Sequence, residues 1–140
     1  MGTLDLWSPR ILAALRVITA LLFIEHGLMK LIEFPAAIPG VPTPLPLILQ
    51  VAAWMEVIGG ALLAIGLFTR PVAFLLSGEM AAAYFMAHAP QGFYPALNGG
   101  EPAVLYTFIF LYFAFAGAGA WSADRVISGR AVLTGARSAA

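Results

Sequence analysis

Four long apolar runs divide the chain, at residues 11–32, 47–68, 71–88 and 103–121, and turn-forming stretches separate them. Each is near the ~20 residues that carry a helix across a ~30 Å hydrocarbon layer at ~1.5 Å per residue. Between the first two runs stand Pro35, Pro39, Pro42, Pro44 and Pro46. Proline at that density removes backbone donors and clashes with the preceding turn, so this stretch is an extended loop. The second and third runs meet at Gly66-Leu67-Phe68-Thr69-Arg70-Pro71. Glycine suits a helix C-terminus, threonine an N-cap and proline the first helical position, which predicts a tight hairpin. Residues 89–101 carry Pro90, Gly92, Pro95 and Asn98-Gly99-Gly100, all turn signals. Phe93 and Tyr94 in this stretch suit a membrane interface.

The expected helices are therefore about 10–32, 47–68, 71–88 and 102–121. Phe108, Phe110 and Tyr112 alternate as a strand would, but ~19 unbroken apolar residues favour a helix. Ser122-Ala123-Asp124-Arg125 resembles the cap of a short surface helix. The small, polar stretch 129–140 reads as a flexible cytoplasmic tail. The first run exceeds the h-region of a signal peptide, contains Arg16 and lacks a small-residue cleavage site after it, so it reads as a retained helix. The expectation is an all-α membrane protein: one domain over 1–128, a four-transmembrane-helix antiparallel bundle.

Composition strengthens this picture, with 61% hydrophobic and only 10% charged residues. Seven basic and seven acidic residues leave no net charge, which disfavours nucleic acid as a partner. The chain has no cysteine, so disulfides, thiolate metal sites and thiol relays by its own side chains are excluded. Four spans would put Arg10, Arg70, Arg125, Arg130 and Arg137 on one side and Lys30 alone on the other. The positive-inside rule then places both termini in the cytoplasm of a multi-pass protein of the bacterial inner membrane. Trp7 and Trp121 fall at the inner boundary of that arrangement.

Against this background Phe23-Ile24-Glu25-His26-Gly27-Leu28-Met29-Lys30-Leu31 stands out, because ionisable groups within a span are costly and point to function. Counted from the outer end of their helices, His26 and Glu25 lie roughly 10 Å deep, and Glu56 and Glu79 about 13 Å. Lys30 lies within a turn of that end, with His88 and Glu101 near the same surface. Arg16 is the exception, nearer the inner side. His26 and Lys30, at i and i+4, share a helix face with Thr19, Phe23 and Gly27. Glu56 shares its face with Ala52, Ala53, Gly59 and Gly60, which lets a neighbouring helix approach closely. Glu79 shares its face with Ala82, Ala83 and Met86. Glu25 projects opposite Lys30, toward another helix or a partner protein.

Each residue also has a plainer reading. Lysine near a helix end snorkels, an isolated membrane histidine bonds a neighbour, and Glu56 or Glu79 pairs with Lys30, Arg16 or a hydroxyl. The helix 4 stripe Tyr106, Phe110 and Phe113 reads as core or lipid contact. Convergence of several costly groups at one depth is harder to explain by packing. Lys30 and His26 supply donors, Glu56 and Glu79 take up protons, and Tyr106 adds a phenol beside an aromatic wall. A quinone head group needs that set; a proton or small-solute path needs the carboxylates alone. Haem would need His26 and His88 at one level, and His88 lies several residues nearer the surface, so haem is disfavoured. No metal site is expected, and there is no phosphate loop or nucleophile elbow.

His26-Gly27-x-x-Lys30-Leu31, Gly66-Leu67-Phe68-Thr69-Arg70-Pro71, Asn98-Gly99-Gly100-Glu101 and Gly117-x-Gly119-x-Trp121-Ser122-x-Asp124, in that order, resemble the signatures of the DoxX family of small bacterial membrane proteins. The resemblance spans residues from about 10 to 128. It implies a four-helix membrane bundle and a redox setting. Named relatives include small subunits of a thiosulfate:quinone oxidoreductase, and others associate with enzymes of thiol and oxidative stress. The matching positions His26, Lys30, Glu56, Glu79, His88, Asn98 and Glu101 are carried over as a pocket. The leading expectation is a quinone-linked membrane subunit of an oxidoreductase system: His26 and Lys30 bond the quinone, Glu56 or Glu79 relays protons, and other subunits of a redox complex are partners. The alternatives are a non-catalytic anchor subunit and a proton-coupled small-molecule transporter.

Overall fold

The computed structural model describes residues 3–129, and the regular structure among them is helical throughout. The helices are α1 (Thr3–Ile32), α2 (Leu47–Ile65), α3 (Thr69–Ala83), α4 (Pro95–Asn98), α5 (Glu101–Ala116) and α6 (123–129). A π-helical turn at Tyr84–His88 and a 3-10 turn at Ala89–Gln91 extend α3. Leu4–Ile32, Leu47–Ile65 and Thr69–Gln91 are long and apolar enough to cross a bilayer, whereas α5 is apolar but shorter, at 16 residues. This is a multi-pass membrane protein.

Several expected boundaries are corrected. α1 begins at Thr3 rather than near residue 10, with Pro9 inside it. Proline forfeits one backbone donor, and the helix continues through it. α2 ends at Ile65, not 68, because Gly66 (φ 68°) and Phe68 (φ 49°) take left-handed backbone. The Gly66 and Leu67 N–H groups return to the carbonyls of Leu63 and Leu62, closing the helix end. α5 ends at Ala116, five residues before Trp121. Gly117 and Gly119 have φ of 83° and 71°, which a right-handed helix does not admit. The tail expected at 129–140 lies outside the described residues, apart from Gly129 at the end of α6.

α1 and α2 run in opposite directions in close contact. A Cβ on Gly27 would stand 2.8 Å from the Ala53 carbonyl oxygen, and one on Gly60 would stand 3.2 Å from that of Ala20. α3 and α5 also run oppositely: Ser77 Oγ donates to the Thr107 carbonyl at 2.8 Å, and Arg70 Nη1 donates to that of Phe115 at 2.7 Å. Between the two pairs lies a core of Phe23, Leu63, Leu76, Phe110 and Phe113. Phe23 meets Phe110 edge-on at 4.7 Å, and Tyr106 stacks on Phe110 at 5.5 Å. Leu21, Trp54, Phe74 and Phe108 point outward, the side-chain chemistry that lipid covers.

Candidate functional site

Close approach of α1 to α2 at Gly27 places the end of α1 over the middle of α2. There Lys30 Nζ lies 2.6 Å from Glu56 Oε1, and the Glu56 side chain is fully buried. His26 Nε2 lies 3.8 Å from the same oxygen, and its side chain is 44% exposed. The three form a polar line from the exposed rim into the bundle. Glu56 Oε2 is buried without a hydrogen-bond partner among the described residues. A paired buried charge with a spare acceptor keeps hydrogen-bonding capacity that apolar neighbours cannot use.

Glu79, one α-helical layer across on α3, carries the larger deficit. Both of its carboxyl oxygens are buried and neither has a hydrogen-bond partner among the described residues. It lies within the electrostatic reach of Glu56 and Lys30. Lys30, Glu56 and Glu79 line one cavity of about 270 Å³, with Met55, Met80 and Met86 among its apolar walls. The expected shared compartment thus gathers three of the four central residues, and His26 touches it through Glu56.

The remaining candidates sit elsewhere. His88 Nδ1 meets the Asn98 carbonyl oxygen at 3.0 Å; a carbonyl only accepts, so this nitrogen carries the proton. Asn98 Nδ2 donates to the Gly92 carbonyl at 2.7 Å, and its Oδ1 accepts the Gly100 N–H at 2.8 Å. His88 and Asn98 therefore fasten the loop between α3 and α5. Glu101 is exposed in the first turn of α5, where the helix dipole favours a carboxylate. Tyr106 packs its ring against Phe23 at 5.2 Å and Phe110, and does not line the cavity. Glu25 is exposed.

A second polar constellation, at the opposite end, has a structural character. Arg16 is fully buried, yet its guanidinium donates to the carbonyls of Ala118, Trp121 (3.0 Å) and Ala64 (3.5 Å). These are carbonyls freed where α5 breaks and α2 ends. Arg70 does the same for Ala114 and Phe115. Asp124 accepts the N–H of Phe68 at 2.8 Å and of Thr69 at 2.9 Å, and its own N–H donates to the Gly66 carbonyl at 2.9 Å. The cap of α3 is therefore Asp124, 55 residues on, and not Thr69, which is the first helical residue. Ser122 Oγ accepts the Arg125 N–H, capping α6 as expected. Burial alone would raise the Asp124 carboxyl. Hydrogen bonds from Thr69 and Phe68 and the nearby Arg16 outweigh it and hold the group below the usual carboxylate range.

Sequence reasoning assigned neither Arg16 nor Asp124 this clasp. The available signal was a lone arginine in an apolar helix together with a glycine-broken fourth run, since a helix broken within the membrane frees carbonyls that need a donor. The glycine–threonine–proline hairpin and the Gly117–Asp124 segment, far apart in the chain, are the two halves of one joint.

Fold and site together define a helical multi-pass membrane protein with a buried, partly unsatisfied polar cluster at one end and a backbone clasp at the other. Residues 11–89 match the DoxX family, and the chain belongs to that family. A relative from Haemophilus influenzae (strain ATCC 51907 / DSM 11121 / KW20 / Rd), described as an uncharacterized protein, is 48% identical over 131 residues. That match covers 89% of this chain and 96% of the relative. No solved structure matches.

Proposed function

We propose that this protein is a membrane subunit that binds the head group of a bilayer-dissolved quinone for an oxidoreductase system. The observation that carries this reading is Glu79: two buried carboxyl oxygens without a partner among the described residues, on a cavity otherwise lined by apolar side chains and the Lys30–Glu56 pair. An unsatisfied buried carboxyl costs free energy unless something bonds it, and such costs concentrate at binding sites. A quinone head suits the set, with two carbonyl acceptors on a flat apolar ring. Lys30 has donor hydrogens beyond the one given to Glu56, and Glu79 donates when it carries a proton. When bound, a quinone accepts two electrons and two protons. Glu79 and Glu56 hold protons beside it, His26 links Glu56 to the exposed rim, and the electrons come from a partner enzyme.

In this reading α5 completes a fourth span, and both termini face the cytoplasm of a bacterial inner membrane. Arg10, Arg70 and Arg125 gather at the clasp end with Trp7 and Trp121 exposed, and Lys30 lies at the other, which supports that orientation. The site then sits in the outer leaflet.

The test is extraction of quinone from protein purified in mild detergent, with Glu79→Gln and Lys30→Ala beside the native chain. Near-stoichiometric quinone in the native protein, reduced in both variants, is the expected result. Absence of bound quinone, together with no change in thermal unfolding on adding one, overturns the proposal. One observation favours a second reading: the His26–Glu56–Lys30 line running from rim to interior also suits a proton-coupled transporter. Proton flux in liposomes that stops in Glu79→Gln, without quinone binding, selects that reading.

A further inference from the structure

The cavity at Glu79 does not end there. A second cavity of about 380 Å³ follows the seam between α2 and α3, lined by Trp54, Ile58, Gly59, Leu62 and Leu75 among others, with no ionisable side chain. Val51 and Met55 belong to the walls of both cavities. The two adjoin at these shared walls and follow one seam, polar at the Lys30 end and purely apolar toward the Ile65 end, as a groove. Along α2 it extends from Ile48 to Leu62, ~21 Å at the helical rise. Its rims are open to the bilayer: Trp54 is 55% and Leu75 62% exposed. Its floor is narrow because Gly59 sits against Leu76; a Cβ there would stand 2.9 Å from Leu76 Cδ2.

We infer that this groove holds the hydrocarbon tail of the ligand whose head reaches Glu79, so that the protein selects long-chain amphiphilic quinones and admits them sideways between α2 and α3. The inference rests on the head-group reading above and adds the chain. The gradient from two carboxylates and a lysine to bare Leu, Ile and Trp matches an amphiphile anchored by its head. It does not match a water-soluble quinone, which would leave the larger, apolar cavity without a complement. The gain from the tail is packing rather than transfer from water, because the competing solvent is lipid.

The experiment uses the full chain in phosphatidylcholine nanodiscs. The probes are a dimethoxy-methyl-benzoquinone without a chain, the same head with a decyl chain, and a version brominated at the end of the decyl chain. After correction for partition into lipid, the decyl compound binds about tenfold tighter than the chain-free one, the scale of about ten van der Waals contacts. Leu75→Trp, which fills an exposed rim of the groove, removes that preference and leaves the chain-free compound unchanged. In a Trp7→Phe, Trp121→Phe background the brominated chain quenches Trp54, and unbrominated decylquinone reverses the quenching.

Equal affinities with no quenching of Trp54, while the chain-free quinone still binds, overturn the groove and leave the head site standing. Failure of every quinone to bind overturns the head-group reading and the groove with it. Quenching by a brominated phospholipid that decylquinone does not displace shows a lipid seat and overturns the inference. So does a change of oligomeric state in Leu75→Trp, which would make the seam a subunit interface. Ile58→Trp repeats the preference measurement if Leu75→Trp does not fold.

Discussion

The backbone N–H of Thr69 donates to Asp124 Oδ2 at 2.9 Å, so the first turn of α3 is capped by a residue 55 positions later in the chain. A helix leaves its first N–H groups without intrahelical partners, and a carboxylate both accepts from them and answers the dipole. Asp124→Ala is expected to cost about 1–2 kcal/mol, the range of lost N-caps. Asp124→Asn, which keeps an acceptor, should cost less. Thermal unfolding of the three proteins in detergent checks the order.

The same residue supplies a pH dependence whose sign follows from the hydrogen bonds. The folded carboxyl titrates below its unfolded value, so its stabilisation is complete above the unfolded aspartate value of about 3.9. It is lost as the pH falls through the lower, folded value. Native protein should therefore lose more stability than Asp124→Asn over that acidic interval, and the two curves should run parallel above it. Partial exposure keeps the difference to about 1 kcal/mol or less. Parallel curves throughout would show that the carboxylate charge plays no part in the cap.

Arg16 predicts a larger loss. Its guanidinium, on a fully buried residue, satisfies carbonyls on α2 and on the segment after α5. Arg16→Met leaves them unpaired, at about 1–3 kcal/mol for each buried group lost, enough to lower the yield of folded protein. Arg16→Lys should rescue little, because one ammonium does not reproduce a planar fork. Yield and melting temperature in detergent are the measurements.

The contrast between Gly27 and Gly60 tests the α1–α2 contact. A methyl on Gly27 meets the Ala53 carbonyl at 2.8 Å, where backbone must shift. A methyl on Gly60 first meets Ile24 Cγ1 at 2.6 Å, and that side chain can turn aside. Gly27→Ala is expected to destabilise by about 1–3 kcal/mol and Gly60→Ala by less. Because Lys30 reaches Glu56 across this contact, Gly27→Ala should also weaken any ligand response at the cavity.

How much of this was legible beforehand differs by residue. Lys30, Glu56 and Glu79 were grouped correctly because depth and helical face follow from position alone once the runs are seen as helices. The small residues around Glu56 marked the side on which a neighbour must lie, and Gly27 and Gly60 are that contact. The end of α5 was misplaced because hydropathy does not register φ: Gly117-Ala118-Gly119-Ala120 reads as apolar helix, but two glycines there are left-handed. The start of α1 lies earlier than expected because the polar and apolar residues are mixed before residue 10, and the helix runs through Pro9. Arg16 and Asp124 bond to backbone atoms 48 or more residues away, and backbone donors and acceptors carry no sequence signature. Asn98 and Glu101, grouped with the pocket because they match family positions, hold a turn and a helix start.

Glu56 and Glu79 should separate stability from binding. Glu56→Gln removes the charge that faces Lys30 in a fully buried position, which costs about 3–5 kcal/mol when a buried pair is broken from one side. Glu79→Gln breaks no hydrogen bond present among the described residues, so its folded yield should match or exceed the native yield, even as quinone retention falls. A Glu79→Gln protein that melts as early as Glu56→Gln would mean that Glu79 is a structural partner, and its role in binding would have to be abandoned.

The native chain lacks cysteine, so a single introduced thiol reports its own location. Thr43 lies in the proline loop beyond α1 and Ser128 in α6 beyond the clasp, at opposite ends of the α1–α2 pair. With the arginine-rich end in the cytoplasm, Thr43→Cys reacts with an impermeant maleimide in intact spheroplasts, and Ser128→Cys reacts only after the membrane is opened. The reverse pattern would invert the protein. It would move the Lys30–Glu56–Glu79 cavity to the inner leaflet and make the cytoplasm the side that supplies its protons. Labelling of both positions in intact spheroplasts would show an even number of crossings between them, with α5 then too short to count as a span.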